Sequence, residues 1–263
     1  MSDYDTILFT VEDGLATITL NRPDSLNALS AGMLGDLLSA IRKVAKPSSD
    51  VRCLMITGAG RAFCSGADLG VDAFGDADRD LGEALIQSYH PVLLEISALN
   101  IPVISVVNGV AAGAGMSIAL SGDIVIAAKS AYFLQAFVNI GLVPDAGSTY
   151  LLPRLVGAAR ARALMMLGER LPAETAQAWG LIFEAVDDDM LTERGTELAN
   201  SLANGPTKAL GAIRQLAAQS LNNNYADQLH QESQMQRAAG RSEDCVEGVM
   251  AFIQKRPAVF KGK

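Results

Sequence analysis

From Ile96 to Gly122 the chain carries no charged side chain. A stretch of that length has two ways to satisfy its backbone polar groups: span a bilayer as one helix, or lie inside a folded core. Its own residues favour the second. Pro102, Asn108, Gly109, Gly113, Gly115, Ser117, Ser121 and Gly122 break it up. They leave a β-branched run, Val103–Val107, and a small-residue helical segment over 113–120. A buried strand, turn and helix accounts for it better than a membrane span. Such a core is affordable here, because 49% of the 263 residues are hydrophobic and only 19% are charged.

The flanking sequence extends the pattern. Residues 6–12 and Leu15–Leu20 are β-rich and meet at Asp13-Gly14, a two-residue hairpin turn. Ser30 is placed to cap a helix with the apolar face Met33, Leu34, Leu37, Leu38 and Ile41. Residues 51–57 read as a strand that stops at Gly58, 71–79 as an unpatterned loop, 81–99 as a helix, and 124–127 as another strand. Strands alternating with helices predict an α/β fold with a mixed or parallel sheet and crossover helices. After Ala158 helices dominate: 158–167, 173–179, 191–202, Thr207–Ser220, Tyr225–Ala239 and Glu243–Gln254, with 182–186 the only strand. We divide the chain into a core over 1–200 and a C-terminal helical region over 201–263.

Composition narrows the function. A net charge of −8 opposes nucleic-acid binding, which needs clustered Lys and Arg. Cys53, Cys64 and Cys245 form no CxxC, so neither a disulfide framework nor structural zinc is expected, and a reducing compartment, the cytoplasm, fits. His90 and His230 stand alone and read as ordinary boundary residues. No metal site is expected. No basic N-terminal region precedes an apolar run, so no signal peptide is expected.

Three segments have chemical potential. In 62–69, Ala-Phe-Cys-Ser-Gly-Ala-Asp-Leu follows a strand, and small residues there let a ligand approach backbone N–H groups; taken alone, a plain tight turn explains it better. In 108–117 a strand again runs into glycine and alanine before a helix, whose first N–H groups lack internal partners; close helix–sheet packing is the alternative. Its glycines fit neither GxGxxG nor a P-loop. In 133–149, Asp145 stands in an apolar neighbourhood. It is either a general base with a raised pKa or the N-cap of a following helix.

Taken in order along nearly the whole chain, these segments resemble the crotonase (enoyl-CoA hydratase/isomerase) superfamily. The landmarks are Asn21-Arg22-Pro23 with Leu26-Asn27-Ala28-Leu29, Ser65-Gly66-Ala67-Asp68-Leu69, Asn108-Gly109 with Gly113-Ala114-Gly115, Gly141-Leu142-Val143-Pro144 and Phe260-Lys261. The resemblance implies a spiral of ββα units with a C-terminal α-helical region that packs between subunits of a trimer or a dimer of trimers. It implies an acyl-CoA thioester substrate with no separate cofactor. The backbone N–H groups of Ala67 and Ala114 would form an oxyanion hole. Arg22, Leu26, Ala28, Ala62, Ser65, Asp68 and Leu69 would meet the CoA moiety, with Lys261 reaching its phosphates from a neighbouring subunit.

The hydratases of this superfamily use two glutamates. At their positions this chain has Ser117 and Phe137. A carboxylate at the place of Asp145 instead resembles the single base of the family's isomerases, which shift a double bond or, in phenylacetate catabolism, rearrange a ring epoxide. The expected activity is therefore isomerisation with Asp145 as acid and base, and Ser117, Phe137 and Leu142 lining the acyl pocket. Hydration by a site that recruits Asp145 and Ser117, and acyl-CoA binding without turnover, are the rival readings.

Overall fold

The computed structural model describes residues 4–68 and 80–263. Its main sheet holds six strands: β1 (Ile7–Glu12), β2 (Leu15–Leu20), β3 (Cys53–Gly58), β5 (Val103–Val107), β7 (Ile124–Ala128) and β10 (Glu184–Val186), in the order β1-β2-β3-β5-β7-β10. β1 is antiparallel to β2 across the Asp13-Gly14 turn, where both residues take positive φ (48° and 80°), as a two-residue hairpin requires. The other neighbours are parallel. All five residues of β5 are buried, as befits a parallel strand covered on both faces.

A second sheet was not legible as strands in the sequence. It comprises β4 (Ala62–Cys64), β6 (Val110–Ala112), β8 (Tyr132–Leu134) and β9 (Arg170–Pro172), in the order β4-β6-β8-β9. Each strand is too short for period-2 alternation to register. β4, β6 and β8 are parallel, so their C-terminal ends open on one side. The small residues 110–112, expected as a run-in to a helix, are thus a strand, and β9 is a further strand beyond Ala158.

Helix α1 (Ala31–Val44) starts where Ser30 accepts the Met33 N–H, and it buries Met33, Leu34, Leu37 and Ile41. The helix expected over 81–99 is present as α2 (Leu81–Ala84), a π-helical turn over Leu85–Tyr89, and α3 (His90–Ala98). The π turn ends two residues before Pro91, which cannot donate to an α-helical ladder. Next come α4 (Ala114–Leu120), whose residues are all buried, and α5 (Ser148–Leu167). α5 begins at Ser148, not at residue 158: its first half runs through Pro153 to a break at Gly157 (φ 78°, ψ 160°), and only the second half was expected.

The remaining helices are α6 (Ala173–Ala178), α7 (Leu191–Ala203), α8 (Thr207–Ser220), α9 (Tyr225–Ala239) and α10 (Glu243–Gln254). α7 packs on the main sheet, with Gly195 against Val106, and residue 200 lies inside it. α9 buries no residue and packs on α8, while α10 exposes Val246, Val249, Phe252 and Ile253. Arg52, at the start of β3, holds the C-terminal tail: its guanidinium donates to Thr207 Oγ1, the Gly205 carbonyl and the Phe260 carbonyl.

Candidate active site

The turn after β2 and the turn after β4 are sewn into one wall. Asn27, fully buried, donates its amide to the carbonyls of Ala59 and Ala62 (2.9 and 2.8 Å) and accepts the Arg22 N–H (2.8 Å). Leu26 and Asn27 both sit at positive φ (54° and 56°), a strained pair held by these bonds. The Arg22 guanidinium donates to the Ala28 carbonyl (2.7 Å) and pairs with Asp68 (2.8 Å). Ser65 N–H bonds the Leu26 carbonyl. Arg22, Leu26, Ala28, Ala62, Ser65 and Asp68 are therefore brought together as expected, and Leu69 and the loop 71–79 lie outside the described residues.

Ala67 and Ala114 are brought close. Leu29 donates to the Gly66 carbonyl and accepts the Asp68 N–H, so it bonds the residues on either side of Ala67. Successive peptide groups of an extended chain alternate in direction, so the Ala67 N–H points away from Leu29. On that side Gly66 abuts the next turn: a Cβ built on it would come within 2.9 Å of the Ala112 carbonyl oxygen and 3.7 Å of the Ala114 nitrogen. Ala114 opens α4, where its N–H has no partner one turn back. Gly113 before it takes φ 51° and donates to the Leu134 carbonyl of β8 (2.9 Å). The Gly66–Ala67 turn and the Gly113–Ala114 turn are thus packed against each other.

Asp145 supplies the charge. Its turn follows β8, and Leu142, half-buried, donates its N–H to the Phe137 carbonyl. Asp145 Oδ1 is buried with no hydrogen-bond partner. Burial pushes the carboxyl up to about 6, and the nearby His90 draws it part of the way back. The capping alternative fails on geometry: the residue before α5 is Gly147, in the left-handed region, and no side chain caps that helix. A cavity of about 700 Å³ adjoins the turn at Ala146 and Gly147, walled by Leu93, Leu120 and Leu151 but also by Asp123, Arg154 and Arg214; Ser117, Phe137 and Leu142 do not line it.

Ser117 and Phe137 have clear environments. Phe137 is 8% exposed and its ring lies against Gly113. Ser117 is 1% exposed and its hydroxyl is engaged with that of Ser148 at 2.7 Å. Lys261 is not brought to this wall. It lies with the tail, where Asp244 accepts the Lys261 and Gly262 N–H groups and Gly262 meets Arg52 at the start of β3, the opposite strand end from the Arg22 turn.

Comparison with known proteins settles the lineage. Residues 10–263 match the family model described as enoyl-CoA hydratase/isomerase. The chain belongs to the enoyl-CoA hydratase/isomerase family. Among its relatives, the 1,2-epoxyphenylacetyl-CoA isomerase of Escherichia coli K12 is 48% identical over 260 residues, covering 98% of each chain. The 2,3-dehydroadipyl-CoA hydratase of the same organism is 36% identical over 246 residues, covering 94% of each. A solved Mycobacterium abscessus structure described under the same family heading superposes with a TM-score of 0.94 at 36% identity, covering 98% of this chain and 100% of that one. The chain is thus an enzyme of the enoyl-CoA hydratase/isomerase family with the crotonase fold.

Three contributors escaped the sequence reading. His90 looked like a boundary residue, yet it acts electrostatically on Asp145 across the fold. Ser148 stood near the end of the 133–149 segment with no role of its own. Asn27 was visible as a landmark but not as the bracket between two turns. No local pattern signals any of them, since each depends on a partner distant in sequence. Among the described residues no group of three or more His, Cys, Asp or Glu could hold a metal, and no helix is long and apolar enough to cross a membrane.

Proposed function

We propose that the protein is an acyl-CoA isomerase that shifts a double bond, or rearranges a ring epoxide, through an enolate held by the Ala67 and Ala114 N–H groups. The observation that carries this reading is the solitary Asp145 carboxyl, buried at one oxygen, unpartnered, and poised at about 6. A base with such a pKa is ionised at neutral pH yet becomes a competent acid once protonated. The reading also draws support from the isomerase relative at 48% identity.

For a 3-enoyl-CoA the steps balance with one residue. Polarisation of the thioester carbonyl by two N–H donors acidifies C2, an effect of about 2.7–4 kcal/mol per donor in comparable sites. Asp145 takes the C2 proton, the electron pair moves into a dienolate, and the same proton returns at C4. Nothing is added or lost, so no second carboxyl is needed. The hydratase reading asks Ser117 to handle water, but its buried hydroxyl is already engaged by Ser148. A mere binder would keep Asp145 half-desolvated for no return.

We place the CoA moiety along Arg22, Leu26, Ala28, Ala62, Ser65, Asp68 and Leu69, and the acyl group beside Ser117, Phe137 and Leu142. The region 201–263 serves oligomerisation, as a homotrimer or dimer of trimers, consistent with the exposed apolar face of α10. Lys261 then reaches a neighbour's CoA phosphates. Three free thiols suit the cytoplasm. The deciding experiment assays the purified protein and Asp145→Asn on a 3-enoyl-CoA and a 2-enoyl-CoA. Isomerisation lost in the variant, with little hydration in either, supports the proposal; strong hydration that survives the substitution overturns it.

A further inference from the structure

Three consecutive hydrogen bonds link the Ala114 donor to the Asp145 base. The Ser117 N–H donates to the carbonyl of Gly113, the residue before Ala114 (3.3 Å). The Ser117 hydroxyl bonds the Ser148 hydroxyl (2.7 Å). The Ser148 N–H donates to the carbonyl of Asp145 (2.9 Å). Both serines are 1% exposed, so water does not compete for the hydroxyls. Among the described residues this pair is the only side-chain hydrogen bond joining α4 to α5.

We propose that Ser117 and Ser148 are a positioning pair, whose hydroxyl contact sets the separation between the oxyanion donor and the carboxylate. The inference rests on the isomerase reading of the site. A base carried on a turn with unrestrained spacing would meet C2 and C4 at varying distance. Reacting atoms must approach to about 3–3.5 Å, and a misplacement of about 1 Å costs on the order of a hundredfold in rate. The strap fixes that spacing through two helix starts, leaving the Asp145 carboxyl itself free of hydrogen bonds.

The test separates positioning from packing. Ser117→Ala/Ser148→Ala removes both hydroxyls together, so no buried polar group is orphaned and thermal stability stays near that of the parent. The expected result is a kcat for 3-enoyl-CoA isomerisation lower by on the order of ten- to a hundredfold, with KM and the acidic limb of the pH profile unmoved. A parental kcat in this variant overturns the inference. Should the double variant fold poorly, Ser148→Thr and Ser148→Val offer equal shape with and without a hydroxyl: a higher kcat for the Thr variant supports the pair, and equal kcat values reject it. Asp145→Asn run alongside keeps the two claims apart. If it is inactive while the serine variants match the parent, only the pair is rejected; if it stays active, the isomerase reading falls.

Discussion

The ring of Phe137 lies against Gly113, one residue before the Ala114 donor: a Cβ at position 113 would stand 3.5 Å from its Cζ. On the proposed reading, an apolar ring in that place would keep water from the space in front of the two N–H groups. Phe137→Ala is expected to admit water, so product analysis with a 2-enoyl-CoA should show more 3-hydroxyacyl-CoA relative to isomerised product. The folding cost is about 3–5 kcal/mol for truncating a buried Phe, so the assay belongs well below the variant's melting temperature. An unchanged product ratio would remove Phe137 from the account of water exclusion.

Gly66 is under two constraints, a φ of 98° and an Ala112 carbonyl oxygen 2.9 Å from any Cβ placed there. Gly66→Ala must therefore shift the Ala67 turn away from Ala114. Loss of one oxyanion donor costs about 10²–10³ in kcat. Steady-state kinetics should show that loss in kcat.

The acidity of Asp145 sets a pH profile. Its carboxyl must be ionised in the free enzyme, so kcat/KM should rise with pH and level off above about 6. His90 draws that value down. His90→Gln should move the acidic limb to higher pH with the plateau kept. A limb that stays put in the variant would show that His90 does not act on the base.

The same residue makes stability depend on pH. The folded-state pKa of Asp145 is raised from 3.8 to about 6, so the folded protein holds the proton more tightly than the unfolded chain. Its contribution is most favourable below about 4 and is lost as pH rises through about 6. Asp145→Asn should therefore raise the melting temperature at pH 7–8, with the gap closing at acid pH. The full shift corresponds to about 3 kcal/mol, and partial solvation makes the gain smaller. Equal melting temperatures at neutral pH would mean that the carboxyl is not desolvated.

Asp244 carries the tail by accepting the Lys261 and Gly262 N–H groups. Asp244→Ala and Lys261→Ala should each raise KM for a CoA thioester but leave a short N-acetylcysteamine thioester, which has no phosphates, unaffected. Parallel losses with both substrates would place the tail's effect elsewhere than at the phosphates.

Three C-terminal helices, Thr207–Ser220, Tyr225–Ala239 and Glu243–Gln254, have their expected bounds, and side-chain caps from Asn224 and Ser242 open the last two. The second sheet stayed hidden because a three-residue strand such as Val110–Ala112 shows no period, and its small side chains read equally as a helix start. The first half of α5 was masked by Pro153. In the site, Asp145 could be singled out by its isolation among apolar neighbours. Its relations to His90 and Ser148 could not, since charge and hydroxyl pairing across the fold leave no trace in local spacing.

The short strands β4, β6 and β8 stand side by side, and each releases one working part at its C-terminal end: the Ala67 turn, the Ala114 turn and the segment leading to Asp145. They behave like adjacent rungs of a ladder. If the first two rungs polarise the thioester, as proposed, they can remain as they are while the third is re-lengthened or re-aimed, so proton handling is free to diversify with the electrophilic grip intact. Hydratase and isomerase relatives sharing one fold are what such an arrangement permits.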